Sequence, residues 1–144
     1  MMDDDLTAEV QRVAAGMVEA HQAEADGRLD YSEESLAVVE ALLDEASDFV
    51  DAMSEEQVDF VARKFGCYIL EVARRKWSGR YLWHPDRDAP VLVVGEPEFR
   101  VAMLTWDKTK GRLLGDKADN IPFFYAGFAE QVRDAANGVN VLYV

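Results

Sequence analysis

The sequence predicts an α+β domain: three N-terminal helices, an antiparallel three-stranded meander, two further helices and a C-terminal strand joining the sheet. Three observations predict it. Apolar residues recur at helical spacing from Leu6 to Trp77. After Gly79 the period changes to alternation. Both patterns return, helical from Ile121 and alternating from Val139 to Val144. At 144 residues, 49% of them apolar, the chain has the size of a single domain spanning 1–144. A chain of that length buries roughly 70% of its unfolded surface, so neither disulfide nor metal is required to hold it.

The first helix is capped by Thr7 or by the run Asp3 to Asp5, and buries Leu6, Val10, Val13 and Met17. Asp26-Gly27 ends it. The second follows Leu29-Asp30-Tyr31-Ser32, with Asp30 and Glu33 at capping-box spacing and Ser32 as the alternative cap. Its buried stripe is Leu36, Val39, Leu43, Ala46 and Val50, with Leu42 and Phe49 at the margin. The opposite face, with Glu33, Glu34, Glu40, Asp44, Glu45 and Asp48, is expected to be wet. The third helix has the clearest start, the capping box Ser54-Glu55-Glu56-Gln57, and runs to Trp77. Its second half is apolar or small around most of its circumference, which predicts a central helix packed on more than one side.

Tyr81 and Trp83 share one face of the first strand; Arg80, Leu82 and His84 share the other. Val91 to Val94 read as a strand covered on both faces, and Phe99, Val101 and Met103 alternate in a third. Thr105 to Leu114 form a short helix weakened at Gly111. Pro122 suits the first turn of the last helix, which stops at Asn137-Gly138.

The charge is unevenly spread. Residues 1–60 carry eighteen acids against Arg12 and Arg28; residues 61–144 carry ten acids and thirteen bases; the total is −13. Such an excess repels phosphate backbones and anionic membranes, which argues against nucleic acid and membrane partners and for a basic protein. No apolar run is long enough to span a bilayer. The opening Met-Met-Asp-Asp-Asp lacks the features of a signal peptide, and the single cysteine, Cys67, suits a reducing compartment. A cytoplasmic location is the expectation.

No catalytic motif is present, so no catalytic residue, cofactor or metal is assigned. The cluster His84-Pro85-Asp86-Arg87-Asp88 matches no defensible zinc spacing and reads as a turn. Cys67 reads as a buried small residue. The most distinctive segment is Phe65 to Arg75, where Glu71 lies on the narrow polar strip of an apolar helix. In water, a Glu71–Arg75 pair would contribute only about 0.3–0.5 kcal/mol. Buried, Glu71 must be paired by Arg74 or Arg75, and loss of one partner would cost about 3–5 kcal/mol.

Two stretches stand out together: Leu29-Asp30-Tyr31-Ser32 with Ser35-Leu36, and Phe65-Gly66-x-Tyr68-x-x-Glu71-x-x-Arg74-Arg75 followed by Gly79. The pairing resembles an uncharacterised bacterial family of small acidic proteins, a domain of unknown function, over residues 29–135. Cys67, Ile69 and Leu70 stand where that family has smaller residues, and the loop after Trp83 is longer. The resemblance implies a bacterial cytoplasmic origin and no particular activity.

Two functional readings follow. The first is a non-enzymatic, immunity- or antitoxin-like domain that binds a basic protein through acidic helices, with Glu33, Glu34, Glu40 and Asp44 in contact. The second is a small-molecule-binding or catalytic protein whose pocket lies between the sheet and the central helix and uses Glu71, Arg74, Arg75, Trp83 and His84. A homodimer through the edge Val141-Leu142-Tyr143-Val144 is a third arrangement.

Overall fold

Ser54 starts the element around which the rest is arranged. In the computed structural model, which describes residues 3–144, the Gln57 amide donates to Ser54 Oγ at 3.1 Å and the Ser54 amide donates to Gln57 Oε1 at 2.8 Å. This reciprocal cap opens the longest of five helices: α1 (Asp3–His21), α2 (Leu36–Ser47), α3 (Glu55–Trp77), α4 (Trp106–Leu113) and α5 (Ile121–Asp134). At its other end Ser78 takes a left-handed φ of 60° and returns its amide to Arg74 O at 2.7 Å.

Every residue of α3 from Phe65 to Ala73 is buried, because α1 and α4 pack along it and the sheet closes over it. The contact with α4 is close for a reason in the sequence. Thr105 Oγ1 donates to Gly66 O at 2.8 Å and Thr109 Oγ1 to Ala62 O at 2.7 Å, so α4 lies on the two smallest residues of that face. A Cβ at position 66 would come within 2.7 Å of Trp106 Cδ1.

The sheet has four strands in the order β1 (Arg80–His84), β2 (Ala89–Val94), β3 (Arg100–Met103), β4 (Asn140–Tyr143). It is mixed. β1, β2 and β3 are antiparallel neighbours, but β4 runs parallel to β3, with Val101 opposite Val141. The expected antiparallel meander is β1 to β3, and the expected C-terminal strand joins the sheet beside β3; the structure adds its parallel direction. The pair α4–α5 forms a crossover that brings the chain back to the starting end of β3, and such a connection delivers a parallel strand.

Tyr81, Leu92, Val94, Val101 and Met103 face the main core with α3 and α5; Val91, Val93, Ala102 and Leu104 form a smaller apolar cluster with Leu82 and Trp106. β2 is buried along its whole length, as its unbroken apolar run requires.

Three short 3₁₀ turns modify the expected helix order: Glu33–Ser35 before α2, Val50–Ala52 before α3 and Lys117–Asp119 before α5. Ser32 caps the first of these, its Oγ accepting from the Ser35 amide at 3.2 Å, so the helix proper starts only at Leu36. Val50 therefore belongs to a turn and not to the α2 stripe, and Thr7 lies within α1 instead of capping it.

Candidate functional site

The two sequence motifs meet in space. Tyr68, buried on α3, has its hydroxyl 2.7 Å from Ser35 Oγ and accepts from the Tyr31 amide at 2.9 Å. The Tyr31 ring stacks on Tyr68 with centroids 4.9 Å apart, and the Arg75 guanidinium carbon sits 3.5 Å from the Tyr31 ring centroid. Tyr31 has φ 63°, an uncommon backbone state for a bulky residue. Tyr68 holds it there by a hydrogen bond, and Arg75 presses on its ring. The motif residues thus pin the 29–35 segment to the central helix.

Arg75 connects this cluster to Glu71, which is fully buried. Glu71 Oε2 accepts from Arg74 Nε and from the Tyr81 hydroxyl, each at 2.7 Å; Oε1 accepts from Arg74 Nη2 at 3.2 Å and lies 3.7 Å from Arg75 Nε. Burial, then the Glu71 charge, pushes the Tyr81 hydroxyl pKa up, so it stays a donor. The Glu71 bond holds the Arg74 guanidinium more firmly in its charged form. Both carboxylate oxygens are engaged by the protein's own groups.

Trp83 and His84 do not join this group. Trp83 meets Trp106 edge-on at 6.1 Å, and Arg63 lies over Trp106 at 5.1 Å. His84 Nδ1 accepts from the Arg87 amide at 3.2 Å and closes the β1–β2 turn. Cys67 is buried, and desolvation pushes its thiol up to about 12, which disfavours the thiolate at neutral pH. Among the described residues no three His, Cys, Asp or Glu side chains come together as a metal site.

The four acids proposed for partner contact divide. Glu40 is half-buried, which corrects the expectation of a wholly wet face, whereas Asp44 stays exposed while pairing with the same arginine. Arg112 of α4, 3% exposed, donates through Nε to Glu40 Oε2 and through Nη2 to Asp44 Oδ1, both at 2.6 Å. Glu40 Oε1 also accepts from the Ile121 amide at 3.0 Å, placing a carboxylate on the first turn of α5. The Arg112 bond holds the Asp44 carboxyl below its usual range. Glu33 is half-buried, 3.8 Å from Lys76 Nζ. Glu34 is exposed.

Arg112 is the residue that sequence reasoning missed. Its signal was the spacing of Thr105, Thr109 and Arg112 at i, i+4 and i+7, which puts the arginine on the buried face of α4.

Compared with known proteins, the chain matches no protein-family model, no curated protein and no solved structure. Among the described residues no helix is long and apolar enough to cross a membrane.

Proposed function

We propose that the protein is a non-enzymatic protein-binding domain of the bacterial cytoplasm, immunity- or antitoxin-like, that offers an acidic helical surface to a basic partner. The observation that carries this reading is the outer face of α2. Glu34, Ala37, Ala41, Glu45 and Asp48 recur at three- and four-residue spacing and are all exposed. Among the described residues none of these acids has a cation within 4.0 Å, and the exposed Asp51 extends the face beyond the helix. The alanines keep the face low, so a partner can approach the helix closely. With Glu40 and Asp44 held by Arg112, the contact surface moves from the acids first named to these.

The alternative of a ligand pocket at Glu71 has less support. Arg74, Arg75 and Tyr81 already occupy that carboxylate, and Trp83 and His84 point to other partners. The likeness of the Gly66-x-Tyr68 helix to small uncharacterised bacterial proteins fits the same reading, since its distinctive residues brace the fold.

The test is crosslinked capture from a bacterial lysate with the full chain as bait, at about 50 and 300 mM salt, between which the screening length falls from about 14 to about 6 Å. The control bait carries Glu34→Gln, Glu45→Gln, Asp48→Asn and Asp51→Asn. A basic protein retained at low salt, weakened at high salt and lost with the control is the expected result. Retention indifferent to salt and to the four substitutions would refute the reading.

A further inference from the structure

At the end of the molecule where α1, α2 and α3 come together there is an open groove of about 260 Å³. Its floor is apolar, made by Leu42, Ala46, Met53, Val61 and Phe65. Phe49, just beyond the end of α2, stands at the side of it and is 62% exposed. Phe60, 65% exposed, is one turn before Lys64, whose Nζ lies 5.3 Å from the Phe60 ring and 5.9 Å from that of Phe65. Two exposed phenylalanines beside an apolar hollow mark a surface that is covered in use.

The walls say by what. Glu24 and Glu45 line the groove as exposed carboxylates, against the single cation Lys64. His21 is the remaining polar residue of the wall. Its Nδ1 is 3.4 Å from Glu24 Oε1, and neither ring nitrogen has a hydrogen bond. Pockets for whole small molecules span about 300–1,000 Å³, and this one falls below that range, which suits one large side chain. A second copy of the chain would bring the same acidic rim against this one, and like charges repel.

We propose that this groove seats an aromatic anchor, a tryptophan, from a basic protein segment, while Lys or Arg residues flanking the anchor lie against Glu24 and Glu45. Aromatic and Arg residues dominate such contact centres in protein interfaces. The inference rests on the acidic-surface reading above and adds where the partner is gripped.

Three synthetic peptides separate the two ideas: a Lys- and Arg-rich peptide with a central Trp, the same peptide with Ser in place of Trp, and a Glu-rich peptide with the Trp kept. Each is titrated into the full chain, with amide NMR shifts locating the contact and fluorescence anisotropy giving affinity. The basic Trp peptide is expected to shift Ala46, Phe49 and Val61, and to bind at least about tenfold tighter than either other peptide, a difference of about 1.4 kcal/mol. Ala46→Trp, which fills the hollow, and Phe49→Ser, which alters only an exposed side chain, should each remove most of that difference. Equal binding of the two basic peptides, with shifts on α2 outside the groove, would overturn the groove and leave the acidic surface standing. Equal binding of the acidic Trp peptide would overturn the basic partner. Self-association abolished by Ala46→Trp would assign the groove to a second copy. No binding by either basic peptide would overturn both proposals.

Discussion

Replacing Glu71 by Gln tests whether the buried network holds the central helix to the sheet. The substitution keeps shape and one acceptor oxygen but removes the charge. Of the two bonds at 2.7 Å, that from the Tyr81 hydroxyl changes from charge-assisted to neutral, and that from Arg74 Nε keeps the guanidinium charge but loses the ion pair. Bonds to charged groups contribute about 1.5–3 kcal/mol and neutral ones about 0.5–1.5, so the Tyr81 bond should lose about 1 kcal/mol and, with the weakened Arg74 pairing, the total should be about 2 kcal/mol. Arg74 and Arg75 are partly exposed and can turn to water, which keeps the loss below that of a fully buried pair. For a chain of this size the melting midpoint should fall by about 4–8 °C. Tyr81→Phe removes one of the two bonds, and should cost about 1–2 kcal/mol.

The assay is urea unfolding followed by tryptophan fluorescence on wild type, both single variants and the double variant. The midpoint should move with an unchanged slope. The double variant should lose less than the sum of the singles by about 0.5–1 kcal/mol, because both act on one bond. Arg12→Gln, at the exposed Glu9 pair, should leave the midpoint where it was. Glu71→Gln unfolding at the wild-type midpoint, or strictly additive losses, would refute the account.

Arg112→Met should destabilise by about 2 kcal/mol, since it leaves the half-buried Glu40 beside α5 without its cation; the same unfolding curves measure it. The Asp44–Arg112 pair adds a pH dependence. Its folded-state pKa is lowered from 3.8, so the unfolded chain binds the proton first on acidification. The stability it contributes is complete above the unfolded value and is lost as pH falls through the lowered one. Asp44→Asn should therefore flatten the midpoint profile in that acid window, and an unaltered profile would count against the pairing. Gly66→Ala should cost about 1–3 kcal/mol and shift tryptophan emission, because the new methyl meets Trp106 and Thr105. An unchanged spectrum and midpoint would mean that α4 does not lie so close.

Much of the architecture is local and was legible. Ser54 and Gln57 announce α3 by chemistry that needs only neighbouring residues, and the unbroken apolar run of β2 implies cover on both faces. The α+β class follows from where the period changes. The direction of β4 does not, because its own residues alternate equally well beside β3 in either sense.

The site divides along the same line. Sequence alone determined that Glu71, if buried, needed an arginine, since a lone carboxylate does not persist away from water. It also determined that negative charge is concentrated in residues 1–60. Only the tertiary structure decided that Tyr81 completes the Glu71 shell and that Tyr31 and Tyr68 join two motifs separated by thirty-seven positions. It alone showed Arg112 pairing with Glu40 and Asp44 from sixty-eight or more residues away. The physical reason is range. Caps and periodicity are fixed by residues a few places apart, whereas an ion pair forms wherever folding brings opposite charges within a few ångströms, and no spacing along the chain records that meeting.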